Sequence, residues 1–176
     1  DRFYEIEREP TSPFVSAHSF RGSLTRTSDY YGLRATVSED SIFAGLEALM
    51  REVIRVDRHG FTASELAREK QDRLRDMRSA FEERETWRSS SHAHGYLNHY
   101  MEQRPRPGIA YSYALDQRYL PGITVEEVNR IAEDFLSQES RAVLIRMPEN
   151  DSLELPSREQ LVRAIERVQE ETIEPY

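Results

Sequence analysis

Three histidines, His92, His94 and His99, stand close together in the chain, and imidazole nitrogens gathered at one point are a common way for a protein to hold zinc. On a helix such ligands converge when they are three or four residues apart, as in the inverted zinc motif His-x-x-Glu-His. Here the separations are two, five and seven. Neighbours two apart point to different sides of a helix, and no carboxylate stands between the three at a ligating position. They read as surface or partly buried histidines that bond locally. The carboxylate pairs Glu82-Glu83 and Glu126-Glu127 occupy helix-surface and capping positions and carry no acid–base signal. Lys70 falls inside an apolar helical stripe, where its stem can lie on apolar surface while the ammonium stays in water. A nucleophilic triad, a phosphate-cradling loop and a dinucleotide fingerprint are all missing, since the seven glycines never bunch as those motifs require. Cysteine is absent, which removes thiol chemistry and disulfides.

The elements that would position any such residues centre on Leu46 to Leu74. An amphipathic helix runs into His59-Gly60-Phe61, stops, and a second begins behind Thr62. Gly60 stands where a helix end favours a residue tolerant of positive φ. Thr62-Ala63-Ser64-Glu65 is a capping box, in which hydroxyl and carboxylate satisfy amides of the first turn. The first of these helices starts near Asp40 or Ser41 and is expected to bury Phe43, Leu46, Met50 and Val53, widened by Leu49, Ile54 and Val56. The second carries Leu66, Leu74, Met77 and Phe81, and its dense Arg, Glu and Asp read as a solvated face.

Before this pair, Arg2 to Glu9 is a short helical pattern stopped by Pro10. The period then changes to two, from Phe14 to Arg21 and again from Tyr30 to Val37, the mark of two adjacent antiparallel strands. Ser89-Ser90-Ser91 interrupts the charged helix, after which a helix resumes. Arg104-Pro105-Arg106-Pro107-Gly108 is loop, and Ile109 to Leu120 a short helix ended by Pro121-Gly122. Thr124 to Glu127 is a second capping box, opening a helix expected to bury Val128, Ile131 and Phe135. Arg141 to Met147, apolar through its middle, reads as a third strand interior to the sheet. Ser157 to Gln160 caps a last helix carrying Leu161, Ile165 and Val168.

At 176 residues and 38% hydrophobic, the chain can bury a core unaided. Its net charge of -8 argues against a nucleic-acid backbone or an anionic membrane as main partner. No apolar run approaches the roughly 20 residues of a membrane span. The opening Asp1-Arg2-Phe3-Tyr4 reads as mid-helix sequence and Pro175-Tyr176 as a linker cut short, so an excised fragment is expected.

Taken in order, RFYEIEREPTSPFVSAHSF, YYGLRATVSED, ALMREVIRVDRHGFTASELAREK, LPGITVEEVNRIAEDFL and AVLIRMPE resemble the pitrilysin/insulinase family of zinc metallopeptidases, the inverzincins. The resemblance covers nearly the whole chain and is most specific at the helix-Gly-Phe-Thr-helix joint. It implies an α+β unit, helices packed on one face of a mostly antiparallel sheet in two layers. Such units pair into half-molecules, and two halves close around a peptide-holding chamber. It further implies a partial, inactive-type domain over residues 1–150 and a linker helix over residues 151–176 leading to the next domain.

This sequence departs from the family where the chemistry sits. His-x-x-Glu-His is missing, so neither catalytic residues nor metal ligands are assigned. Family members carry an Arg and, seven residues on, a Tyr that support the scissile carbonyl. Aligned on EIEREPTSPF, those positions are Glu7 and Phe14, with Arg8 one place off register, and neither an acidic nor a phenyl side chain can donate to an oxyanion. Glu7, Arg8 and Phe14 are thus the substrate-proximal positions by that alignment. The resemblance implies a non-catalytic domain that supports an upstream catalytic domain, lines the chamber, and leads to the downstream half of the same chain. The peptide substrate and the zinc would belong to the parent enzyme. The alternatives are a scaffold or substrate-presenting module of a catalytically dead relative, and the unit that donates the Arg/Tyr pair through Arg8. For a bacterial member the expected location is the periplasm or cell envelope, with the cytoplasm open.

Overall fold

The computed structural model describes residues 2–25, 27–103, 105–135, 141–148 and 154–176. The chain divides into two compact units, one formed by Asp1–Gly60 with Asn129–Tyr176 and the other by Phe61–Val128. The fold is α+β, seven helices and an antiparallel strand pair among the described residues.

In the first unit, α1 (Arg2–Glu7) leads through a Pro-containing turn to β1 (Ser16–Thr25), which pairs antiparallel with β2 (Ser28–Thr36). Ala17 lies opposite Ala35 and Ser19 opposite Leu33, and residues directly opposite share a face. That face meets α2 (Ile42–His59) around a core of Phe14, Ala17, Ala48 and Leu49, with Phe3, Ile6, Leu33, Ala35 and Val37 against it. The other face carries His18, Phe20 and Tyr30, whose rings follow one another at 6.0 and 5.7 Å. Behind α2 packs α7 (Arg158–Glu170), where Val168, with no exposed surface, joins Ile54 and Ile173 in a second cluster.

The second unit is helical. Its elements are α3 (Ala63–Glu82), a single 3-10 turn at Arg84–Thr86, α4 (Ser89–Glu102), α5 (Ile109–Tyr119), a 3-10 turn at Leu120–Gly122, and the start of α6 (Val125–Phe135). From Asn129 onward α6 belongs to the first unit. α3 packs along α5, with Met77 buried, Phe81 and Tyr113 stacked at 5.6 Å, and Arg73 paired to Asp116 at 2.7 Å.

Every expected cap forms. Gly60 takes φ 69°, its amide donating to Val56 O, and a Cβ there would meet the Asn129 amide group at 2.6 Å. The Thr62/Glu65, Thr124/Glu127 and Ser157/Gln160 boxes are all reciprocal.

Four expectations change. Arg141 to Met147 is not a strand: residues 141–148 join no ladder among the described residues, and Val143 and Leu144 are 46% and 85% exposed. An apolar run becomes an interior strand only where neighbours offer hydrogen bonds on both edges. On α2 the buried stripe is Gly45, Ala48, Leu49, Glu52 and Ile54, while Phe43 is 37% exposed. The helix is turned because Gly45 admits Val37 of the β2 exit, and because Arg2 draws the Glu52 carboxylate inward. Ile131 is 56% exposed, and the side chain of Phe135 lies outside the described residues. The strands also run further than expected, through Gly22 to Thr25 and from Ser28, because the polar connection pairs across itself.

Candidate functional site

The three positions singled out by the family alignment surround the corner between α1 and β1. Pro10 and Pro13 hold the chain between them out of helix, so α1 and β1 meet through side chains. Glu7 uses its carboxylate there: Oε1 accepts the Ala17 amide at 2.6 Å, joining the helix end to the first strand. Phe14 is 4% exposed and meets Phe3 edge-on with ring centroids 6.1 Å apart, so its phenyl is core. Ser12 closes the turn, its hydroxyl donating to Phe14 O at 2.7 Å. Arg8 is exposed, its guanidinium 5.7 Å from the centre of the Tyr4 ring. The corner thus has one cation at its surface, and a carboxylate and a phenyl that hold it together.

The histidines occupy the second unit. His92 lies on α4 with its ring 5.9 Å from Trp87, and its Nδ1 is 3.3 Å from Nη2 of Arg106. A guanidinium at that nitrogen opposes a metal ion there, because both are cationic. Arg106 also lies over the Tyr96 ring at 3.7 Å, so it ties the following loop back onto α4. His99 sits in the last turn of α4, and the side chain of His94 is outside the described residues. No group of three His, Asp or Glu residues able to hold a metal occurs among the described residues. The described residues here offer no donor set that fits the zinc the resemblance implies.

Lys70 does more than rest its stem on an apolar stripe. Its ammonium donates to Pro121 O at 3.1 Å and to Ile123 O at 2.5 Å, satisfying carbonyls where the 3-10 turn leads into α6.

A row of basic residues on α2 was not singled out by sequence reasoning. Arg51, Arg55, Arg58 and His59 share the helix side that meets α7 and the segment after it. Arg51 holds Glu171 bidentately at 2.7 and 2.8 Å. Arg58 donates to Glu171 O and Gln169 O at 2.6 and 2.5 Å, Arg55 to Glu174 O at 2.7 Å, and the His59 ring stands 2.7 Å from Ile173 O. The hydrogen bonds from Arg51 hold the Glu171 carboxyl below its usual range, and the same bonds raise Arg51. Beside the row, Arg2 and Glu52 are both buried with Nη1 and Oε2 3.8 Å apart. Arg2 also donates to Gly60 O at 3.0 Å and lies over the Tyr176 ring at 4.5 Å, while Tyr176 hydrogen-bonds the Glu5 carboxylate. The Arg spacing of four and then three was the available signal, masked by the assumption that charged helix positions face water.

No helix among the described residues is long and apolar enough to cross a membrane.

No protein-family profile matches the chain. Among curated proteins it is similar to the zinc protease PQQL-like of Arabidopsis thaliana, 32% identical over 81 residues that make up 46% of this chain and 8% of the relative. Its fold matches the crystal structure of the first half of the periplasmic protease PqqL from Escherichia coli, with a TM-score of 0.76 and 16% identity over 99% of this chain and 38% of that one. It matches the structure of PqqL with the same score and identity, covering 20% of that chain. The chain therefore spans well under half the length of each relative it matches. At 16% identity the structural likeness carries the fold, and the sequence similarity is confined to those 81 residues. Both findings support the resemblance of this chain to the pitrilysin/insulinase family of zinc proteases.

Proposed function

We propose that the chain is a non-catalytic unit of a zinc metalloendopeptidase, backing a catalytic unit of the same polypeptide and lining part of the chamber that holds its peptide substrate. One pairing supports this reading: a fold match to a protease half over 99% of the chain, in a sequence without His-x-x-Glu-His. Bound to that motif elsewhere in the parent, zinc supplies a polarising Lewis acid and an activated water. The residues of this chain do mechanical work. Glu7 and Phe14 fasten the α1–β1 corner, which leaves Arg8 as the side chain there able to meet a substrate or a neighbouring unit. The division proposed for the parent places residues 1–150 in the supporting domain and the following helix toward the next one. The proposed location, the periplasm or cell envelope, follows PqqL.

The purified chain, supplied with zinc, is expected to leave an unstructured peptide intact. A polypeptide that carries a His-x-x-Glu-His helix upstream of Asp1 is expected to cut the same peptide. Hydrolysis that copurifies with the isolated chain and stops on adding a chelator overturns the reading. An upstream unit of similar pattern but lacking the zinc ligands reassigns the chain to a scaffold or substrate-presenting subunit.

A further inference from the structure

We propose that residues 171–176 form a detachable strap, fastened across α2 by side-chain donors that grip its main chain, so that position 176 is held beside α1.

Most of the fastenings are side-chain donors on main-chain oxygens. Three groups on one side of α2 end on strap carbonyls, Arg58 on Glu171, His59 on Ile173 and Arg55 on Glu174, and Arg58 also reaches Gln169 in the last turn of α7. The strap side chains add two contacts, the bidentate Glu171 carboxylate on Arg51 and the buried Ile173 against Ile54 and Val168. At the far end Tyr176 reaches α1, its ring under the Arg2 guanidinium and its hydroxyl on Glu5. A carbonyl grip is indifferent to side-chain identity, so strap position is set by α2.

The strap also differs from the helix it follows. α7 is held by its own ladder and by Ala164 and Val168, both almost fully buried. Residues 172–176 have no regular structure, and of these only Ile173 is buried. The side-chain bonds to α2 can therefore open without unwinding α7. Opened and extended, six residues span roughly 20 Å. In a longer polypeptide that length would be a reserve between this unit and whatever follows. This consequence rests on the peptidase reading, whereas the strap itself does not.

The absence of cysteine makes a single-site spin label straightforward. A nitroxide on E174C, an exposed strap position, is compared with one on E166C, an exposed position of α7. In the otherwise unchanged chain the label at 174 should give an immobilised spectrum. The R55M/R58M pair keeps the apolar stems and removes the donors, and should raise the mobile fraction at 174 by about tenfold or more, since one charge-assisted hydrogen bond is worth about that factor. The label at 166 should be unchanged. A label at 174 that is mobile without the substitutions, or that stays immobilised in R55M/R58M, overturns the proposal. So does loss of order at 166 together with 174, because the segment would then open only by unfolding α7. I173A separates the apolar anchor from the grip. If I173A frees the label while R55M/R58M does not, the strap is apolar and the proposal fails.

Discussion

Glu52 and Arg2 are both buried, and the 3.8 Å between Oε2 and Nη1 is too long for a hydrogen bond, so the pair attracts as charges without satisfying those two atoms. The remaining polar contacts are good ones: Arg55 donates to Glu52 Oε1 at 3.0 Å, and Arg2 to Gly60 O. A buried pair of this kind contributes little beyond an apolar pair of equal volume, but breaking it on one side leaves a charge in a poor solvent. Glu52→Ala should therefore lower unfolding stability by about 3 kcal/mol, measured by urea titration, while Arg2→Met with Glu52→Met should lose clearly less. Equal losses would mean that water already solvates the pair. Nothing in the periodicity pointed to this setting, because position 52 sits at the border of the apolar arc and a Glu there reads as solvent-facing. The same assumption concealed the Arg51, Arg55 and Arg58 row, since guanidinium stems and heads are legible only once their acceptors, far along the chain, are known.

Local signals carried the helix boundaries. Gly60 with Thr62 and Glu65, Thr124 with Glu127, and Ser157 with Gln160 each satisfy amides or turn the chain within a few residues, so their geometry is written in adjacent positions. Which side of a helix is buried is a longer-range matter. On α2 the apolar residues alone centre the arc on Leu46 and Met50, yet the observed stripe passes through Gly45, where the β2 exit comes close. A Cβ at position 45 would stand 2.4 Å from Val37 Cγ1, well inside contact distance. Gly45→Ala should then destabilise by about 1–3 kcal/mol despite its better helix propensity, as overpacking outweighs the gain of up to about 1 kcal/mol. Thermal unfolding monitored by circular dichroism checks the sign: a stabilised variant would show that β2 and α2 part easily. The third strand failed for a related reason. Arg141 to Met147 has strand composition, but pairing partners are a property of the sheet and not of the run.

At the scale of the molecule, several large apolar side chains stand exposed that a self-sufficient domain would cover. Leu144 and Val143 on an unpaired apolar run, Phe20 and Tyr30 on the outer sheet face, and Tyr96, Tyr100 and Met101 on α4 are such groups. Among the described residues the sheet has two strands, and the outer edges of so small a sheet can recruit other chains. If these surfaces belong against other parts of one polypeptide, the isolated chain should associate with itself. Sedimentation velocity is expected to show weight-average mass rising with concentration over the micromolar range. V143K/L144K, which places two cations on the unpaired run, should shift that rise to clearly higher concentration without changing the helical circular dichroism. A chain that stays monomeric at all concentrations would overturn this expectation, because its exposed apolar groups would then need no cover.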